Sequence, residues 1–260
     1  MPVTSPANAN HVVLLHGWAS HKQVFRGLVR ALEKRFRVHV MALPGYGDTA
    51  PCVPCAPHTL ERIADALAAA APKHCSVVGW SLGAQVATTW AQRAPKQVSR
   101  LSLIGATPCF TQRADWPHAV TAVVMRQFTS AIKRDCPSVL RRFVALQSLG
   151  DVQAVRVAHQ LRTVLFTHPL PAQDVLESGL EILRGADLRA MLPLIRQPAL
   201  ILHGEHDAVT PSAAGQALSK MLPNARFHKI AGAGHAPFLS DPSAVAALLH
   251  EFLDETIAAV

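Results

Sequence analysis

Apolar residues recur along this chain with two different periods. Short runs rich in β-branched and aliphatic residues predict strands at residues 12–16, 36–42, 76–79, 98–104, 199–203 and 226–230. Between most of them, apolar positions recur three and four residues apart, as in Phe25, Leu28, Val29 and Leu32 or Leu60, Ile63, Ala64 and Leu67. Residues 82–93, 213–221 and 242–256 read in the same way. Strand and helix in alternation predict an α/β chain with a mostly parallel, doubly wound sheet covered by helices on both faces.

The alternation stops over residues 107–196, which show several amphipathic helical patterns and no strand. Pro137 suits the first turn of a helix, Asp151 suits an N-cap, and Gly150 and Gly185 suit helix ends. The expected organisation is one core, residues 1–106 and 197–260, interrupted by a helical cap at 107–196. Clusters of Pro and Gly at 44–57 and 204–211 mark loops, and no internal repeat is visible.

Composition narrows the class. Half of the 260 residues are apolar and 16% are charged, so the chain can bury a core and is not a disordered one. No apolar run reaches the roughly 18 residues that cross a bilayer, and residues 1–10 lack a basic and hydrophobic leader, so a cytosolic protein is expected. Five cysteines are too few and too scattered for a disulfide framework. Cys52 and Cys55 lie in a Pro-rich loop without a second such pair, and read as loop thiols rather than a metal or redox site. With no phosphate-cradling loop and no dinucleotide fingerprint, no cofactor and no metal is expected.

The candidate chemistry begins at Gly79-Trp80-Ser81-Leu82-Gly83, which follows a predicted strand and opens a predicted helix. Such a turn presents Ser81 at the carboxyl end of the sheet, with glycines where side chains would collide with backbone. A serine hydroxyl needs a base, and the helix N-terminus behind it favours developing negative charge. His16-Gly17-Trp18 ends the first strand, so the backbone N–H groups of Trp18 and Leu82 are the natural oxyanion-hole pair. His16 itself reads as a structural histidine. Asp207, after the strand at 199–203, and His235, in Gly232-Ala233-Gly234-His235, sit at strand ends that converge on the same crevice. Glu205 and His206 are rivals in the same segment; spacing and turn context favour Asp207 as the carboxylate and His235 as the base.

The formal charge of +8 could serve a nucleic acid, an anionic surface or an acidic protein. Between Arg126 and Arg162 seven bases face two acids, an excess of five, and Arg156, His159 and Arg162 line one helical face opposite Val157, Leu161 and Leu165. No nucleic-acid motif accompanies them and aromatics are few. An acidic partner and a simply solvated helix face both fit.

These residues together resemble the α/β-hydrolase superfamily over the whole chain. More closely, the chain is similar to the family of pimeloyl-[acyl-carrier protein] methyl ester carboxylesterases of biotin synthesis. The stretches that carry the resemblance are Leu14-Leu15-His16-Gly17-Trp18, Leu43-Pro44-Gly45-Tyr46-Gly47, Gly79-Trp80-Ser81-Leu82-Gly83, Arg142-Phe143-Val144-Ala145-Leu146-Gln147, Gly179-Leu180-Glu181-Ile182-Leu183 and His235-Ala236-Pro237-Phe238, several of them inside the cap. The resemblance implies an α/β-hydrolase fold whose cap follows the family's sixth strand position. It implies a cofactor-free serine esterase with nucleophile Ser81, acid Asp207, base His235, oxyanion amides Trp18 and Leu82, and a pocket aromatic at Phe143. An apolar slot lined by Trp18, Trp80 and Phe143 would take the substrate. Cap arginines of the family meet the acyl-carrier protein; Arg142 matches directly, and Arg141, Arg156 and Arg162 are similar in charge and face. A monomer that binds neither nucleic acid nor membrane is expected. A broad short-chain esterase or lipase without a carrier, and a hydrolase-fold ligand sensor, are the alternatives.

Overall fold

The computed structural model describes residues 10–47, 49 and 58–255. Cys52 and Cys55 lie outside them. Six strands, β1 His11–Leu15, β2 Arg37–Met41, β3 Cys75–Trp80, β4 Val98–Ile104, β5 Ala199–Gly204 and β6 Ala225–Ile230, form one sheet in the order β2-β1-β3-β4-β5-β6. Every pairing among them is parallel. All six residues of β3 and of β5 are buried, because helices cover both faces, whereas edge strand β6 is buried only at Ile230.

The helices in chain order are α1 Arg26–Leu32, α2 Leu60–Ala70, α3 Leu82–Arg93, α4 Ala122–Arg134, α5 Cys136–Gln147, α6 Ala154–Phe166, α7 Gln173–Gly185, α8 Ser212–Met221, α9 Pro237–Ser240 and α10 Pro242–Asp254. Four of them, α4 to α7, lie between β4 and β5, in the stretch whose periodicity lacks strands. Their apolar stripes, such as Val139, Leu140 and Phe143 on α5 or Leu176, Leu180 and Leu183 on α7, join the same continuous core as the sheet.

Local chemistry starts these helices. Thr121 accepts a hydrogen bond from Val124 N at the head of α4, and Asp135 accepts one from Ser138 N at the head of α5, each such cap contributing about 1 kcal/mol. Pro137 falls in the first turn of α5, and Gly185 closes α7. The N-cap expected at Asp151 is corrected: Gln153 occupies the N-cap position of α6 without a side-chain hydrogen bond, and the carboxylate of Asp151, two residues earlier, accepts from Gln153 N rather than from the helix's first turn. Among the described residues no helix is long and apolar enough to cross a membrane.

Candidate active site

The order of the sheet reverses between β1 and β3, and in an open parallel sheet such a reversal leaves a crevice at the carboxyl ends of the strands. Gly17 and Trp18 follow β1 there, and Ser81 follows β3. Ser81 takes φ 58° and ψ −119°, a conformation that costs an L-residue about 1–2 kcal/mol and persists only where its surroundings enforce it. The enforcement is steric. A Cβ at Gly79 would fall 2.3 Å from the Gly83 carbonyl oxygen, and one at Gly83 would fall 2.3 Å from the Leu15 carbonyl oxygen, so only glycines let α3 start this close to β1 and β3.

The amides of Trp18 and Leu82 donate to no protein acceptor among the described residues, which leaves both free for a ligand oxygen. His16 lies beneath them, fully buried. Its Nε2 accepts from Leu43 N at 3.1 Å and its Nδ1 donates to the Gly17 carbonyl at 2.9 Å. Burial lowers its pKa to about 4, so it is a neutral strut.

Asp207 and His235 meet past the carboxyl ends of β5 and β6, where no hydrogen bond yet joins His235 to Ser81 Oγ among the described residues. Asp207 Oδ2 accepts from His235 Nδ1 at 2.8 Å, while Oδ1 accepts from Val209 N at 2.9 Å and Thr210 N at 2.8 Å. Burial pushes the Asp207 carboxyl up, but the facing His235 with its hydrogen bond, then His203 and Thr210, outweigh it, and the pKa lies below the ordinary carboxylate value. His203, behind Asp207 at 3.9 Å, is itself lowered to about 4 by burial. Ser81 N donates to the Ile104 carbonyl at 2.9 Å, and the next residue, Gly105, has φ 54° and faces the imidazole, where a Cβ would lie 3.1 Å from His235 Nδ1 and Cε1. His235 Nε2 is buried with no hydrogen-bond partner among the described residues. An imidazole whose Nδ1–H is held by a carboxylate can take a proton only at Nε2, and catalytic hydrogen bonds that are long or absent without substrate commonly form when it binds.

Over Ser81 opens a cavity of about 60 Å³ lined almost wholly by carbon, with Trp18, Phe128, Phe143, Met125, Leu180 and Val209 around it. Trp18 and Phe143 meet edge to face at 5.1 Å, and Trp18 Nε1 donates to the Leu176 carbonyl on α7 at 2.9 Å, which ties the β1 loop to the inserted helices. Trp80 requires a correction, because it does not line this slot. It is buried with its Nε1 donating to the His235 carbonyl at 2.8 Å and its ring edge-on to Phe238. Sequence reasoning did not single out Met125 and Phe128, whose spacing of three on α4 was the available signal, nor Thr210 and Gly105, which border the imidazole. Thr210 could have been found as the residue three positions after Asp207, at the end of a turn that the Asp207 carboxylate closes.

Arg141 and Arg142 on α5 and Arg156 and Arg162 on α6 are all exposed. Two have partners within the chain: Arg141 Nη2 donates to Ser138 Oγ at 3.0 Å, and Arg156 Nη2 to the Ser240 carbonyl at 2.7 Å. On α6, Val157, Leu161 and Leu165 are buried, and a surface groove runs along Val155, Arg156, His159 and Arg162.

A family model described as the alpha/beta hydrolase fold matches residues 10–242. The pimeloyl-[acyl-carrier protein] methyl ester esterase of Nitrosomonas europaea is 40% identical over 240 residues, 92% of this chain and 94% of that protein. The protein of the same name from Aromatoleum aromaticum is 41% identical over 249 residues, 94% of this chain and 98% of that protein. Among solved structures, an esterase from Exiguobacterium antarcticum superposes with a TM-score of 0.84 at 24% identity, covering 95% of this chain and 92% of that one. A bromoperoxidase from Bacillus anthracis superposes with a TM-score of 0.85 at 19% identity, covering 95% and 93%. At those identities the structural likeness speaks for the fold. With its parallel sheet, its serine turn and these matches along nearly its whole length, the chain belongs to the α/β-hydrolase family, in the branch that holds the curated esterases.

Proposed function

We propose that the protein is a serine carboxylesterase that hydrolyses the methyl ester of pimeloyl-[acyl-carrier protein], a step of biotin synthesis, releasing methanol and leaving the free carboxylate. The observation that carries the reading is the match to curated esterases of that name, which runs through the inserted helices as well as the core. Supporting it, the apolar slot ends at Ser81, and each methylene withdrawn from water gains about 0.8 kcal/mol, which suits an unbranched acyl chain.

In this mechanism Ser81 Oγ bonds to the ester carbonyl carbon while His235 Nε2 takes its proton. The amides of Trp18 and Leu82 receive the oxyanion, and Asp207 stays ionised to hold the imidazolium. The C–O bond to the methoxy group then breaks, and the His235 proton leaves with it as methanol. Water attacks the acyl-enzyme, gives a proton to His235 and forms the acid, and Ser81 regains its proton as the ester bond to the enzyme opens. Residues 107–196 serve as the cap, Trp18 and Phe143 bound the acyl chain, and Arg141, Arg142, Arg156 and Arg162 face an acidic carrier. The enzyme works as a cytosolic monomer and needs no cofactor.

The test is hydrolysis of a methyl-ester acyl-carrier conjugate by the purified protein and by Ser81→Ala. The variant should lose about a million-fold in kcat, as loss of such a nucleophile does elsewhere. Undiminished turnover would rule out this nucleophile, and equal kcat/KM on free short methyl esters would turn the reading into a broad esterase without a carrier.

A further inference from the structure

The loop that carries His235 owes its position to the inserted helices. His235 N donates to the Gln147 carbonyl at the end of α5 at 2.9 Å, and Val152 N donates to the Gly232 carbonyl at 2.9 Å. Between these two bonds sits Asp151, a buried carboxylate that has no cationic partner among the described residues. Its Oδ2 accepts from Gly234 N at 2.7 Å, and its Oδ1 accepts from Gln153 N at 2.7 Å and from Ser240 Oγ at 2.9 Å. One side chain thus holds the residue before His235, the end of α9 just after it, and the start of α6. A Cβ at Gly234 would lie 2.8 Å from the Gln147 carbonyl oxygen and 3.3 Å from Asp151 Oδ2, so the loop is pressed against the strut as well as bonded to it.

We propose that Asp151 is a positioning residue for the reaction: through Gly234 N it sets the reach of His235 toward Ser81, so that the base is in place only while the inserted helices are seated. This rests on His235 being the base. Charge favours the assignment, because hydrogen bonds to an ionised acceptor are about twice as strong as neutral ones, and a buried carboxylate satisfied only by neutral donors is expensive unless all of those donors are held in place. The carbonyl of His235 is anchored separately by Trp80 Nε1. Losing the Asp151 bond therefore leaves the loop attached to the core through Trp80 and to the cap side through Gln147 and Val152, but unheld at Gly234, the residue next to the imidazole, which changes its aim without removing it.

Two variants separate aim from folding. Asp151→Asn keeps size but turns an NH2 group toward a donor. Asp151→Ser keeps a hydroxyl able to accept from Gln153 N near the start of α6 and gives up Gly234 N. For each, kcat and KM on a small free methyl ester are measured beside the downfield proton signal of His235 Nδ1–H, with circular dichroism to establish that the protein is folded. The expected result is a 10- to 100-fold lower kcat with KM within about twofold, accompanied by a displaced or broadened Nδ1–H signal. Wild-type kcat in folded Asp151→Ser overturns the proposal, as does a lower kcat in either variant with an unmoved proton signal. His235→Ala is the control: if it retains activity the reading of His235 as base has failed, whereas an inactive His235→Ala beside a fully active Asp151→Ser defeats the proposal for Asp151 alone.

Discussion

The turn that carries Ser81 and the loop that carries His235 reach the same crevice, and they are held there by opposite means. The serine turn is fixed by exclusion: Gly79 and Gly83 leave no volume between β1, β3 and the head of α3, and the strained backbone of Ser81 is the only path left. The histidine loop is fixed by attachment, through hydrogen bonds to Gln147, Asp151, Val152 and Trp80, the first at the end of α5 and the next two in the segment that joins α5 to α6. A nucleophile set by close packing is insensitive to what the inserted helices do. In the mechanism proposed above, a base hung from those helices is not, and cap seating becomes a condition for chemistry.

The sharpest way to break the comparison is to disable the base while the packing stays intact. Asp207→Asn places an amide against His235 Nδ1 and favours the wrong tautomer, and kcat should fall about a thousand- to ten-thousand-fold in steady-state assays with the fold unchanged. Next comes a matched pair of glycines. Gly83→Ala drives a methyl to 2.3 Å from a β1 carbonyl oxygen that cannot move, and should destabilise the protein by about 3 kcal/mol or more in urea unfolding. Gly232→Ala, at φ 66°, meets only the side chain of Val152, which is 71% exposed and can give way, so the cost should stay near the 1–2 kcal/mol of a left-handed alanine. Equal costs would remove the distinction between packing and attachment.

Stability against pH sharpens the same contrast. His16 beneath the serine side and His203 behind Asp207 are both lowered by burial to about 4, below the ordinary 6.5 of an unfolded imidazole. The unfolded chain therefore binds more protons between these values. Stability should be fully present above pH 6.5 and fall as pH drops toward 4, by on the order of 1–2 kcal/mol per imidazole at pH 5. Urea midpoints at pH 7.5 and 5 check this, and the slope should halve in His203→Phe if packing is retained. The smallest effect concerns the cap surface. Arg142→Glu with Arg162→Glu should raise KM for a carrier-linked ester about tenfold at low salt and less at high salt, and leave a free methyl ester within about twofold; equal changes on both substrates would count against docking there.

Ser81, Asp207 and His235 were legible because each ends a strand in a short glycine-marked segment, and the requirement for a tight turn is written in adjacent residues. The strands were legible for the same reason, each to within two residues at either end, since runs such as Val77-Val78 and Leu200-Ile201-Leu202 suit only a sheet covered on both faces. Trp80 was misread because a tryptophan beside a nucleophile looks like a wall of the pocket, while strand alternation decides which face it points to. Asp151 was read as a helix cap because its spacing allows one. Its partners, Gly234 and Ser240, are more than eighty residues away, and no local pattern encodes them.

By itself, then, the order of residues determined the elements, the sharp turn at Ser81 and the three side chains proposed for the ester chemistry, because each depends on interactions among near neighbours. Only the tertiary structure decided which ring lines the slot, which arginines already have partners in the chain, and that a carboxylate from between the inserted helices bonds the residue before His235. Those are contacts between distant segments, and their free energy exists only once the sheet and the inserted helices are packed together.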